Sequence, residues 1–246
     1  MLRRKGFYMK EVVKKVLKSS LIGRKIYPIF QYVYRLYAIP IKRKRLRRFG
    51  PEMLLKLHGL LTSNNINYHL DFGSLLGVVR ENDFIKHDDD IDLTIIGKSS
   101  DPCKILKLLM DNGFEFIHAM KVRDRIVEFS VSYRKLSADF FFYLPVEKQG
   151  KVGVCGVYFN PDFQYPTPDL NHYRVWYFPD NVKSKIVTFK GTDVCIPENA
   201  EALLEFEYGK GWRSPVKNWV ADNMEERFEI MDDFAIRITD VKKVFE

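Results

Sequence analysis

Cysteine is scarce in this 246-residue chain: Cys103, Cys155 and Cys195 are odd in number and follow no repeated spacing. That argues against a disulfide framework and a cysteine zinc site, and it suits a reducing compartment. The histidines, His58, His69, His87, His118 and His172, show no zinc-ligand spacing either. Long apolar runs are missing too. No stretch reaches the ~20 residues a membrane span requires, because Gln31, Arg35 and Pro40 interrupt the best candidate, and the apolar core of a signal peptide is absent. Internal repeats and low-complexity tracts are also lacking. A cytoplasmic chain with no transmembrane span is expected, large enough at 46% hydrophobic content to bury one good-sized core.

Acidic residues are nearly absent from one region. Residues 1–48 hold 16 Lys or Arg and a single acid, Glu11, for a net of +15, while the remainder nets −7. Within the basic region Met9, Val12, Val13, Val16 and Leu17 recur at helical spacing between Lys10, Lys14, Lys15 and Lys18. An aromatic stretch from Tyr27 to Ile41 follows, then Lys42-Arg43-Lys44-Arg45 with Arg47 and Arg48. Such a segment suits attachment to an anionic membrane surface, at about 1 kcal/mol per basic residue close to it. The competing readings are a nucleic-acid arm and a solvated or oligomer-forming helix pair. The expected partner is the inner face of a membrane, with nucleic acid disfavoured.

Acids concentrate instead in the stretch from His69 to Ile95, HLDFGSLLGVVRENDFIKHDDDIDLTI. Ile91, Leu93 and Ile95 alternate with Asp90, Asp92 and Thr94, the period of a half-buried strand. Asp90 and Asp92 then share a face about 6.6 Å apart, and full charges at that distance repel by about 2.5 kcal/mol at an effective dielectric of about 20. A hard cation relieves that repulsion; Mg2+ or Mn2+ held by carboxylates and substrate phosphates fits best. Three consecutive aspartates alone more often mark a solvated turn. Here the alternation after them and the turn before them favour a metal site, with Asp89 pointing away in a structural role.

Upstream, Asn67 to Asp71 reads as a short strand, and Gly73-Ser74 opens a short helix, LLGVVRE. A helix N-terminus preceded by glycine can receive phosphate on its amide groups, and Arg80 and Lys86 are placed to offset phosphate charge. Pro51 stands where a helix would start, with Leu54, Leu55, Leu57, Leu60 and Leu61 as its apolar face. Asp101-Pro102 caps another helix to about Asn112-Gly113, and Ile126 to Tyr133 alternates as a strand. From Gly150 to Pro197, loops and a small sheet are expected, then a helix from Glu198 to Tyr208 ending at Gly209.

Strand, Gly-Ser turn, helix and Asp-x-Asp on the next strand resemble the nucleotidyltransferase superfold. The run Leu70-Asp71-Phe72-Gly73-Ser74-Leu75-Leu76-Gly77-Val78-Val79-Arg80, then Asp83-Phe84-Ile85, then Asp88-Asp89-Asp90-Ile91-Asp92, is similar to the LicD and fukutin-like phosphotransferase family. A second stretch, Glu207-Tyr208-Gly209-Lys210-Gly211-Trp212-Arg213-Ser214-Pro215-Val216-Lys217-Asn218-Trp219, resembles the tail of the fukutin-like branch. His87 departs from the tryptophan common at that position, which bears on pocket shape.

The resemblance implies an α/β (α+β) fold with a mixed sheet flanked by helices, divided into a basic helical extension over 1–50 and a catalytic domain over 51–246. It implies a third acid on a later strand, matched by Asp139 within Ser137 to Leu144, a run apolar enough to be buried. An isolated Asp there would be costly without a metal or hydrogen-bond partner. The implied site then comprises Asp90, Asp92 and Asp139 as metal ligands, Gly73, Ser74, Arg80 and Lys86 toward the donor, and Asp88 or Asp139 as proton acceptor. The implied activity moves phosphocholine or a phospho-alditol such as ribitol or glycerol phosphate from a CDP carrier to a glycan hydroxyl, releasing CMP; the fukutin-like tail favours a phospho-alditol. The rivals are an NTP-dependent nucleotidyltransferase and a non-enzymatic, membrane-tethered adaptor.

Overall fold

The computed structural model describes residues 21–97, 101–145, 150–158, 160, 163, 165–179, 182–216 and 228–246. The Met9 to Lys18 pattern and Lys217, Asn218 and Trp219 of the tail lie outside them.

The chain builds a mixed α/β architecture. Helix α1 spans Leu21–Ser63. Strand β1 (Tyr68–Leu70) leads through a five-residue helix α2 (Phe72–Leu76) and a π-helical turn (Gly77–Glu81) to β2 (Asp90–Ile95). Helix α3 (Pro102–Asp111) precedes a meander of β3 (Glu115–Val122), β4 (Arg125–Tyr133) and β5 (Leu136–Phe142). Then come β6 (Leu144–Pro145), β7 (Lys151–Tyr158), β8 (Leu170–Pro179), a hairpin of β9 (Ser184–Phe189) and β10 (Thr192–Pro197), helix α4 (Ala200–Tyr208) and β11 (Phe228–Ile238). Nine strands form one sheet in the order β1-β2-β5-β4-β3-β11-β8-β7-β6, and β9 and β10 form a separate pair. Within the large sheet β2 and β5 are parallel and the other described pairings antiparallel. Strand β7 returns toward β4 and β5, so the sheet curls.

Period-two alternation sends residues to two environments. Ile91, Leu93, Phe129, Val131, Ala138 and Phe140 pack outward against α1, α3 and the β9–β10 hairpin in the main core. Met120, Val122, Val127, Cys155, Tyr173, Val175 and Ala235 make a second apolar cluster on the opposite, inner face. A register shift between Met120 and Lys121 in the β3–β4 ladder accompanies the placing of Val127 inside while Phe129 stays outside.

Several local expectations change. Pro51 does not begin a helix; it stands inside α1, as does Pro40. Each proline forfeits an intrahelical hydrogen bond, and burial outweighs that loss: Leu46, Gly50, Met53, Leu54, Leu57 and Leu61 form one buried stripe running across Pro51. Leu55 is off that stripe and 60% exposed. The region from Gly150 to Pro197 is more regular than expected, since β7 and β8 join the large sheet and only the hairpin stands apart. Strands β3 and β11 were not expected at all. Among the described residues, no helix is long and apolar enough to cross a membrane.

Candidate active site: a carboxylate cluster at the β2–β5 pair

Asp92 lies level with Asp139 in the β2–β5 register, and Asp90 level with Ser137. Asp139 in turn faces Ser130 of β4, whose side chain hydrogen-bonds to it. Carboxyl oxygens of Asp88, Asp89 and Asp90 come within 4.8 Å of one another, a spacing that could hold a metal ion. Asp89, expected to point away, joins this group because it follows Asp88 in the same tight loop, and Asp92 and Asp139 of the expected ligand set are not part of it. One oxygen of Asp88, Oδ2, is buried with no hydrogen-bond partner, while Oδ1 accepts the Asp89 amide at 3.1 Å. An unpaired buried carboxylate oxygen among other carboxylates is the local environment a hard cation satisfies. The donor set therefore fits Mg2+ or Mn2+.

The glycine-serine turn shapes the cluster. Asp71 caps α2 by accepting the Phe72 amide, and its other oxygen accepts the Thr94 hydroxyl, tying the turn to β2. Phe72 takes φ 43°, a left-handed conformation unusual for a bulky residue. Ser74 is buried, and its Oγ accepts the Asp92 amide at 2.9 Å. A Cβ on Gly73 would lie 2.7 Å from Asp88 Oδ2, so glycine is what admits that carboxylate against the turn. Gly77 is equally constrained, since a Cβ would meet the Asp83 carbonyl oxygen at 2.7 Å.

Of the basic residues expected to meet phosphate, Arg80 donates to the Trp212 carbonyl at 3.1 Å and pairs with Glu81 at 2.8 Å. Lys86 is exposed, and its carbonyl accepts from Arg47. Asp89 pairs with Lys42 of α1 at 2.9 Å. His87 is exposed, with its carbonyl accepting from Arg43 at 3.2 Å.

Two groups of α4 border it: Glu207, which the expected site lacked, and Tyr208, a residue suited equally to core or substrate contact. Glu207 is 2% exposed, with neither carboxylate oxygen given a hydrogen-bond partner at normal geometry. Burial, then the neighbouring Asp71, pushes its carboxyl well above the ordinary glutamate range. Tyr208 is shifted up by burial and then by the charges of Glu207, Asp92, Asp88 and Asp71. An acid at helical spacing from the buried Leu203 and Leu204 was the available sequence signal for Glu207.

Burial and mutual repulsion together raise the site's carboxyls. Burial dominates at Asp88 and Asp92, both held well above the ordinary range, with Asp90 as the leading repelling charge at each. Asp90 is raised by burial and Asp89, against the pull of Lys42. Asp139 is pushed up to about 8 by burial, then by Asp90 and Glu128, and Glu128 is pushed up to about 7 by burial despite Arg237. Glu128 belongs to a polar file on the inner face: His118 Nε2 lies 3.5 Å from its Oε1 and 3.4 Å from Ser130 Oγ, and Ser130 reaches Asp139.

A family model described as LicD/FKTN/FKRP, nucleotidyltransferase domain, matches residues 65–199, which contain the turn, the aspartate run and Asp139. The chain belongs to this family. It is similar to an uncharacterized protein of Rickettsia typhi, 28% identical over 152 residues that cover 52% of this chain and 48% of the relative. An uncharacterized protein of Rickettsia prowazekii is 44% identical over 45 residues, 18% of this chain and 17% of the relative. The chain thus spans about half the length of the first relative and less of the second.

Two outcomes follow. Gly73→Ala should displace the Asp88 carboxylate and weaken Mn2+ binding on the order of 10- to 100-fold; calorimetric titration showing unchanged affinity would separate Asp88 from the metal site. The second concerns pH. Burial pushes Asp139 up to about 8 and Glu128 up to about 7 in the folded chain, above unfolded values of about 4. The folded chain keeps protons that the unfolded chain releases, so their contribution to stability falls as pH rises from about 4 to 8. The melting temperature of metal-free protein should therefore decline from about pH 5 to 8, and Mg2+ should restore it more at the upper end, where the metal displaces fewer protons. A melting temperature insensitive to both pH and metal across that window contradicts the assignment.

Proposed function

We propose that this chain is a metal-dependent phosphotransferase. It moves a phospho-alditol, ribitol or glycerol phosphate, or else phosphocholine, from a CDP-activated donor to a glycan hydroxyl and releases CMP. The supporting observation is the convergence of Asp88, Asp90, Asp92 and Asp139 beside the Gly73-Ser74 turn in a chain of the LicD/FKTN/FKRP family. Members of that family suggest choline, glycerol or ribitol phosphate carried on CDP.

Asp90, Asp92 and Asp139, with the unpaired oxygen of Asp88 beside them, would hold Mg2+ or Mn2+. When bound, the ion supplies neutralisation of the phosphate charge and a lower pKa for the acceptor hydroxyl. The chain's residues do the remaining work. The β2–β5 register holds Asp92 and Asp139 side by side, Ser74 fixes the backbone of Asp92, and Ser130 holds Asp139. The acceptor oxygen forms a bond to phosphorus as the bond from phosphorus to the CMP oxygen breaks, and the acceptor proton passes to Asp88 or Asp139. Positioning and charge stabilisation account for most of the rate.

The location reading is a proposal of the same kind. Ile26, Ile29, Tyr32, Leu36 and Tyr37 of α1 are exposed large side chains in the strongly basic part of the chain. Apolar and aromatic groups amid lysines and arginines suit an anionic bilayer surface on the cytoplasmic side.

The function is tested by CMP release from CDP-ribitol, CDP-glycerol and CDP-choline, with and without Mg2+, with NTPs as controls. Metal-dependent release from one CDP donor, lost in an Asp90→Asn, Asp92→Asn double variant, is expected. Pyrophosphate release from an NTP alone would instead support the nucleotidyltransferase alternative. For the membrane, sedimentation with phosphatidylserine vesicles should be lost on Ile29→Glu with Tyr32→Glu; equal sedimentation of wild type and variant rules out this face of α1.

A further inference from the structure

Arg80 is turned to Trp212 and Glu81, yet a cation does stand at the carboxylates. Lys42, on α1 and outside the family-matched residues, lies with Nζ 2.9 Å from Asp89 Oδ2. Asp89 is one of the three carboxylates whose oxygens lie within 4.8 Å of one another, so the ammonium stands beside that group. The side chain is 30% exposed, which puts the ammonium at the rim of the cluster.

Helix α1 is braced to keep it there. One turn on, Leu46 is 1% exposed, and at the next turn Gly50 admits the Phe84 ring, which a Cβ would meet at 2.6 Å. Arg43 Nε donates to the His87 carbonyl at 3.2 Å, and Arg47 donates to the Lys86 carbonyl at 3.5 Å. Three basic residues of one helix thus grip residues 86–89, Lys42 through the Asp89 carboxylate and the two arginines through backbone carbonyls.

We propose that Lys42 binds the phosphates of the incoming donor: Asp89 holds its ammonium at the mouth of the carboxylate cluster, and the diphosphate shares or takes over that contact. The inference rests on the phosphotransferase reading of this site. A compact ammonium on a flexible stem is suited to a phosphate that arrives after the site is formed. Asp89, which is outside the expected ligand set, then has a role as the holder of the lysine. The active site is completed by a helix that precedes the nucleotidyltransferase domain in the chain.

Calorimetric titrations of the full chain test this, comparing wild type with Lys42→Gln, Lys42→Arg and Asp89→Asn. Each is titrated with Mn2+ alone, then with CDP and with pyrophosphate at saturating Mn2+. Lys42→Gln should keep the wild-type Mn2+ affinity and bind CDP and pyrophosphate about tenfold more weakly. Lys42→Arg should recover part of the loss, and Asp89→Asn, which removes the holder but leaves the ammonium, should weaken diphosphate binding less than Lys42→Gln does. Equal diphosphate binding by wild type and Lys42→Gln overturns the inference. A parallel loss of Mn2+ and diphosphate in both Lys42→Gln and Asp89→Asn also overturns it, since Lys42 would then only strap the loop. Wild type binding pyrophosphate but not CDP counts against the CDP-donor reading alone, and the pyrophosphate comparison still decides the role of Lys42.

Discussion

Because β2 and β5 run parallel with Asp90 opposite Ser137, Asp92 is carried level with Asp139 on the same face of the sheet. Like charges held side by side in a half-buried place have three ways out: a cation, a proton, or separation. Strand pairing removes the third. The surrounding construction answers the first two. Asp71 and Ser74 lock the preceding turn onto β2, Gly73 leaves space for Asp88, and the carboxyls of Asp88, Asp90, Asp92 and Asp139 are all raised toward protonation.

Helix α1 ties this strained arrangement to the rest of the molecule. Its buried stripe carries part of the main core, and the turns around the start of that stripe deliver Lys42, Arg43 and Arg47 to residues 86–89. The β9–β10 hairpin reinforces the same loop from another side. Phe189 stacks edge-on to Phe84, and Lys190 pairs with Asp83 at 2.8 Å. Helix α4 closes the far side, with Glu207 and Tyr208 beside Asp71 and Asp92. Elements distant in sequence therefore converge on one short aspartate loop.

The turn and the aspartate strand were legible in the sequence because each depends on local rules: alternation, capping and a glycine placed before a helix. The Asp139 strand was reached through its apolar run and the third acid that the family resemblance implied. Strand β3 escaped notice because His118 and Lys121 interrupt its apolar pattern, and register shifts break its ladder to β4. Strand β11 was hidden for a similar reason. Asp232 and Asp233 sit in its middle, where the register to β8 shifts between Ile230 and Phe234. Pro51 misled as a helix start, since proline's local preference was outweighed by the apolar stripe that crosses it. Leu55 looked like core because leucine adjacent to a stripe resembles leucine within one.

By itself the sequence determined the family, the α/β character and the three strands or turns that carry Asp88, Asp90, Asp92 and Asp139, because residue type and spacing are enough to encode backbone period and crowded charge. Only the tertiary structure decided that Lys42 meets Asp89, that Arg80 turns to Trp212, and that Glu207 and Tyr208 line the site. The Arg80–Trp212 contact alone joins residues 132 positions apart. Such contacts depend on how the sheet curls and where α1 and α4 settle on it, which no local pattern specifies.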